Sequence, residues 1–191
     1  LVDEAHNLAD RARDMLSGEL SLPGLKEARR EAGKAHGRAS ALYKAFTGLI
    51  RLLDKAEAPL EPQALEEASG SLLDELSGSR FPGAGDMARG LIAFLSALRR
   101  AQGSEDYHLL WQPGPGLGRA AVLCLNPAPY LNEATARLSG CVYFSATLFP
   151  LAAMQKLLGG EEGDACLALP SPFPREHLLT LQYPINTRYR A

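Results

Sequence analysis

The sequence predicts an α+β chain that is mainly α, with a bundle of helices inserted between stretches that read as parts of an α/β unit. Three observations predict it. Apolar residues recur at steps of three and four through most of residues 21–102, the pattern of packed helices. At Gly103 this gives way to short apolar or alternating runs of strand length. Beyond Asn126 short helical and strand-like runs alternate.

Length and composition set the frame. The 191 residues suit one domain or two small ones. Apolar residues make up 46% and charged residues 22%, which is a soluble globular composition. Twenty Lys and Arg stand against 22 Asp and Glu, a net charge of −2, which excludes a strongly basic nucleic-acid coat. No apolar run reaches the roughly eighteen residues of a membrane span, and neither a span nor a secretory signal is expected. The expected compartment is cytoplasmic. Cys124, Cys141 and Cys166 are odd in number and far apart, which argues against a disulfide framework and against paired zinc ligands; three reduced, buried thiols are expected.

Leu1 and Val2 read as the tail of a strand, followed by a helix over residues 3–17 with Ala5, Leu8, Ala12, Met15 and Leu16 on its apolar face. Ser21 is a candidate N-cap for a second helix, with Pro23 in the first turn, where its missing N–H costs little. That helix is expected to run to about residue 56, with a seam of Leu25, Ala28, Ala32, Ala35, Ala39, Leu42, Phe46, Leu49 and Leu53. Pro59 and Pro62 open a third helix with Leu65, Ala68, Leu72 and Leu76 on one face. A fourth begins near Asp86 and carries Met87, Leu91, Phe94 and Leu98. YHLLW and AAVLCLN, separated by the turn-rich PGPGLG, predict a hairpin. Then follow a short helix over 130–138, a buried strand CVYFSAT, a helix in LFPLAAMQKLLG and a strand GDACLAL. The last segment, SPFPREHLLTLQYPINTRYRA, has three prolines and no clear closure.

Two motifs carry chemistry. DEAH, residues 3–6, follows the apolar pair Leu1-Val2. Average composition would place this quartet by chance in roughly one chain in a thousand of this length. An apolar strand that delivers Asp and Glu at its C-terminal end is what magnesium-dependent nucleotide hydrolysis requires: one carboxylate holds the ion's water shell and the next polarises the attacking water. The same carboxylates would also suit a helix N-terminus, where they offset the dipole. SATL, residues 145–148, places two hydroxyls after the apolar run CVYF, within reach of a neighbouring carboxylate or phosphate site; an ordinary cap for the helix near Pro150 is the other reading.

In this order the two motifs resemble motifs II and III of superfamily 2 helicases, and VDEAHNL, LCLNPAPYL and CVYFSATLFP resemble the XPD/DinG family in particular. LPSPFP, residues 169–174, is similar to that family's passage into its second motor domain. The resemblance implies a partial RecA-like α/β motor domain carrying a helical arch-type insertion. It implies an end of the first motor domain with DEAH over 1–19, the arch over 20–104, a return to the first motor domain over 105–160 and the start of the second over 161–191. It further implies that Asp3 helps hold Mg through water, that Glu4 activates the water attacking ATP, and that His6 links the nucleotide site to the rest of the motor. Ser145 and Thr147 would couple hydrolysis to strand movement. The implied partners are single-stranded DNA and the remainder of the helicase motor, with no membrane, and protein partners are left unknown. An Fe–S cluster is possible in a parent protein but not in these residues, since three cysteines cannot supply its four ligands.

No phosphate loop G-x-x-x-x-G-K-[ST] is present: Gly33-Lys34 is followed by Ala35 inside a helical pattern, and Gly114, Gly116 and Gly118 fit a hairpin turn. The 191 residues by themselves are therefore expected to be inactive as an ATPase. His36, His108 and His177 each lack a second ligand at useful spacing.

Charge is uneven along the chain. The second helix is basic, and residues 57–75 hold six carboxylates with no Lys or Arg. Lys26, Arg30, Lys34 and Arg38, spaced by four, could form a stripe along which a phosphodiester backbone passes. Pairing between the basic and acidic helices is the alternative. The rival function is a helical protein-interaction module with no ATPase or DNA activity of its own.

Overall fold

The computed structural model describes residues 1–54, 60–112, 118–177 and 179–183. The chain is α+β and mainly helical, with one small antiparallel sheet. After Val2 a single 3-10 turn, Ala5–Asn7, leads into α1, Leu8–Leu16. Ala5, Ala9 and Ala12 are buried, whereas Met15 is exposed, so the buried face of α1 is set by small residues and Met15 lies off it.

Ser21 caps α2, Leu22–His36, by accepting the Gly24 N–H at 3.2 Å. Where one helix was expected to about residue 56, there are two. Gly37 takes a positive φ of 82°, which a side chain resists, and its N–H closes on the Gly33 carbonyl at 3.1 Å. The Ser40 hydroxyl then accepts the Tyr43 N–H at 3.2 Å, starting α3, Ala41–Asp54. Ala35 and Ala39, expected in a continuous seam, are exposed at this reversal, while Leu25, Ala28, Ala32, Leu42, Phe46, Leu49 and Leu53 are buried.

α4, Pro62–Leu76, and α5, Ala84–Ala101, complete the bundle, α3 packing on α4 and α4 on α5. Their buried positions include the expected Leu65, Leu72, Leu76, Leu91, Phe94 and Leu98. The predicted hairpin is present as β2, Tyr107–Gln112, and β3, Arg119–Cys124, with Tyr107 opposite Cys124 and Gln112 opposite Arg119. Residues 113–117, Gly114 and Gly116 of the expected turn among them, lie outside the described residues.

A third strand, β1, Gly18–Ser21, was not expected; it pairs antiparallel with β3 and gives the order β1-β3-β2. Gly18 makes this strand possible. A Cβ there would fall 2.5 Å from the Phe94 Cα, so only glycine lets β1 lie directly on the backbone of α5. Leu20, Tyr107, Ala120, Val122 and Cys124 of the sheet belong to the same buried cluster as Leu25, Phe46, Leu65 and Phe94 of the bundle. The expected boundary at residue 104 thus falls between elements that share one core.

Beyond the sheet come α6, Ala128–Ala136, and α7, Leu151–Leu157, both as expected. Asn132 ties them by donating to the Gly159 carbonyl at 2.8 Å. Two expected strands are absent. Residues 141–147 make one parallel bridge, Tyr143 to Val2, before turning at 146–147, and Val142 and Phe144 remain 56% and 45% exposed. Residues 163–169 form no strand, and Leu167 and Leu169 are exposed. Apolar character gives a strand only where neighbouring strands pair its N–H and C=O groups; among the described residues Val2 and Ala5 alone pair with the first segment, and no strand pairs with the second. Of the three thiols expected to be buried, Cys124 is buried, Cys141 half-buried and Cys166 exposed, the last because it lies in that unpaired segment.

Candidate functional site

The DEAH and SAT residues are 139 positions apart in sequence and adjacent in space. The Val2 N–H donates to the Val142 carbonyl at 2.9 Å, and the Phe144 N–H returns a bond to the Val2 carbonyl at 3.0 Å. The Ala5 N–H reaches the Phe144 carbonyl at 3.2 Å, so the two segments run side by side in parallel. α1 anchors the arrangement to the sheet: the Ser17 hydroxyl accepts the Cys124 N–H at 2.9 Å, and Arg13 donates to the Leu125 carbonyl at 3.3 Å.

At the end of this ribbon Glu4 sits in the left-handed region, φ 51° and ψ 38°, a conformation costing a non-glycine residue about 1 kcal/mol. The Asp3 Oδ1 accepts the Glu4 N–H at 2.7 Å and so braces this turn. His6 Nδ1 stands 2.8 Å from Ser145 Oγ and 3.1 Å from Glu4 Oε2. An ionised carboxylate can only accept, so this geometry favours the proton on Nδ1, where it is shared between Glu4 and Ser145. Ser145 Oγ also accepts the Thr147 N–H at 3.3 Å and lies 3.4 Å from Thr147 Oγ1. A chain of polar contacts therefore runs Glu4, His6, Ser145, Thr147. Asp3, Glu4 and Thr147 are exposed, and His6 and Ser145 half-buried.

Oxygen donors of this kind suit a hard divalent cation. Among the described residues no three His, Cys, Asp or Glu side chains gather into a metal cluster. The donor set fits magnesium, which commonly keeps its water and takes one or two carboxylates with the rest from phosphates. A cleft of about 540 Å³ lies between α6, α7 and residues 141–143 and contains neither Asp3, Glu4 nor Ser145. The carboxylates face open surface instead.

The basic helices differ from the expected stripe. Lys26 pairs with Asp54 at 3.2 Å, Arg30 with Glu27 and, at 3.5 Å, Glu31, and Lys34 with Glu31 at 2.7 Å. The Lys34 hydrogen bond holds the Glu31 carboxyl below the ordinary carboxylate range against the opposing effect of burial. Arg38 lies in the turn past the end of α2, off the helical row. Sequence reasoning passed over Arg29, whose guanidinium lies 5.5 Å from the centre of the Tyr43 ring. The signal was available, because Glu27 and Glu31 stand three residues before Arg30 and Lys34, where they pair in a helix and leave Arg29 out.

The acidic helix α4 takes its cation from α5 rather than from α2 or α3: Arg99 and Gln102 both donate to Glu66, at 2.7 and 2.8 Å. Arg99 lowers the Glu66 carboxyl's pKa accordingly. Burial pushes the Cys124 thiol up and leaves it a poor nucleophile, in keeping with a packing role. No helix among the described residues is long and apolar enough to cross a membrane. No protein-family model matches the chain, and no curated protein matches it.

Proposed function

We propose that the chain is part of an ATP-dependent DNA helicase of the XPD/DinG type, comprising the motif II and motif III edge of a RecA-like motor domain and a helical arch. The observation that carries this reading is the contact of His6 with Ser145 on a parallel ribbon, which joins two motifs whose contacting residues are 139 positions apart in the sequence. A helix N-terminus with incidental acidic residues gives no reason for that pairing, and a nucleotide-driven switch needs it.

In this reading Asp3 would help hold, through water, a magnesium ion brought with ATP, and that ion would offset phosphate charge. Glu4 accepts a proton from the attacking water. Its strained backbone and its contact with His6 hold the carboxylate in place. His6 carries the position of Glu4 to Ser145, and Ser145 to Thr147, so a shift at the nucleotide is felt at the start of the segment leading to α7. The helical bundle, which lies between the two motifs in the sequence, would serve as the arch that encloses a single strand. The rival, a helical interaction module, explains the bundle but leaves the His6–Ser145 contact without a role.

The test is the coding sequence upstream of Leu1. A phosphate loop G-x-x-x-x-G-K-[ST] within about 250 codons, the span of a missing motor half, is expected. An in-frame start immediately before Leu1 would remove the ATPase reading and favour the interaction module.

A further inference from the structure

We infer that the outer flank of the α2–α3 hairpin, built from Arg29, Arg38, Tyr43 and Lys44, binds the phosphates of a single-stranded nucleic acid, and that the row Lys26, Arg30 and Lys34 does not. The inference deepens the proposed strand-binding role and rests on it for the biological ligand; the geometry stands by itself. The difference between the two sets is pairing. Each cation of the row already touches a carboxylate: Lys26 holds Asp54, Arg30 holds Glu27, and Lys34 holds Glu31. A phosphate there would compete with an anion fixed in place. Arg29, Arg38 and Lys44 have no ion-pair partner among the described residues, and α3 offers only one carboxylate, that of Asp54, which Lys26 engages.

These groups are gathered by packing. Gly33 leaves room for the Tyr43 ring: an added Cβ would lie 3.0 Å from the ring and 3.8 Å from the Arg38 Cγ. Arg29 lies over the same ring from α2. The Arg29 guanidinium therefore comes to a half-buried aromatic, the Arg38 stem passes the same glycine that leaves room for the ring, and exposed Lys44 follows Tyr43 in the chain. Cations beside an aromatic surface suit an unpaired strand, since phosphates meet the charges while a base has a π-face to contact. The contacts read no base edge, so binding ignores sequence and falls with salt.

The experiment uses the 191-residue chain and a labelled thymidine 20-mer, with affinity followed by anisotropy across a salt series. Arg29→Gln/Arg38→Gln/Lys44→Gln removes three cations. It is expected to reduce the slope of log affinity against log salt by about 2, at about 0.7 per phosphate contact on a single strand, and to weaken low-salt binding at least tenfold. Lys26→Gln/Arg30→Gln/Lys34→Gln, the same loss of charge with all three changes on α2, is expected to leave the slope in place. Equal losses in the two triple variants, or a larger loss in the second, would overturn the inference, as would tighter binding of a duplex of equal length. No binding by the native chain, with a phosphate loop present upstream, removes the hairpin site and leaves the motor standing. Binding that maps to the flank with no such loop removes the motor and leaves a strand-binding hairpin.

Discussion

His6 illustrates how much a single residue's partners add to a motif. The tetrapeptide was legible in the sequence; its partner was not, because nothing local in residues 3–6 specifies which of the later hydroxyls comes within 2.8 Å. A double-mutant cycle measures the link. His6→Ala and Ser145→Ala should each lower stability by about 1 kcal/mol in urea unfolding, and the double variant should cost less than the sum by at least about 0.5 kcal/mol. Additive costs would mean that the two side chains do not interact. Glu31 supplies a pH prediction. Its pKa is lower in the folded chain than unfolded, so the stability that it contributes is present above the unfolded value and lost as pH falls through the folded one. The unfolding midpoint of the native chain should exceed that of Glu31→Gln at neutral pH and approach it in acid. A gap that persists unchanged in acid would show that the pairs with Lys34 and Arg30 contribute nothing.

At the scale of elements, periodicity found the helices, while single residues decided where they ended. Heptad-like spacing ran through residues 21–56 because α2 and α3 both bury a face on the same core, and a reversal between them leaves the spacing nearly intact. Gly37 and Ser40 were the marks of that reversal, a glycine and a cap in succession. β1 escaped because four residues with one buried side chain, Leu20, show no period. Its dependence on Gly18 gives a direct prediction: Gly18→Ala should displace β1 from α5 and destabilise the chain by about 1–3 kcal/mol, with loss of amide protection at residues 18–21 and along β3. A native-like melting curve and unchanged protection in that variant would show that the close approach to Phe94 is not required. The strands expected at 141–147 and 163–169 failed for the opposite reason: their apolar runs were real, and pairing partners were wanting among the described residues.

For the whole molecule, the coarse class was legible: the chain is α+β and mainly helical. Sequence pattern divides helices from strands at Gly103, but α5 carries the sheet on its back, and the buried cluster runs across that point. Unevenness of burial predicts the order of proteolysis. Residues 18–124 contain nearly all of the large buried side chains, whereas Phe149, Leu167, Leu169, Phe173, Leu181 and Tyr183 are each at least 77% exposed. Limited chymotrypsin should cut first beyond residue 140 and leave a resistant fragment holding the bundle and sheet, identified by mass. Early cleavage inside α2–α5 would contradict a single shared core.

The central claim concerns Glu4, and DNA-stimulated ATP hydrolysis by the full reading frame that encodes this chain tests it most directly. With magnesium and single-stranded DNA present, the native protein should turn over ATP, and Glu4→Gln should bind nucleotide equally well while losing at least about a hundredfold in kcat, the scale of one general base. Turnover that is absent from the native protein, or that survives Glu4→Gln, would contradict the account.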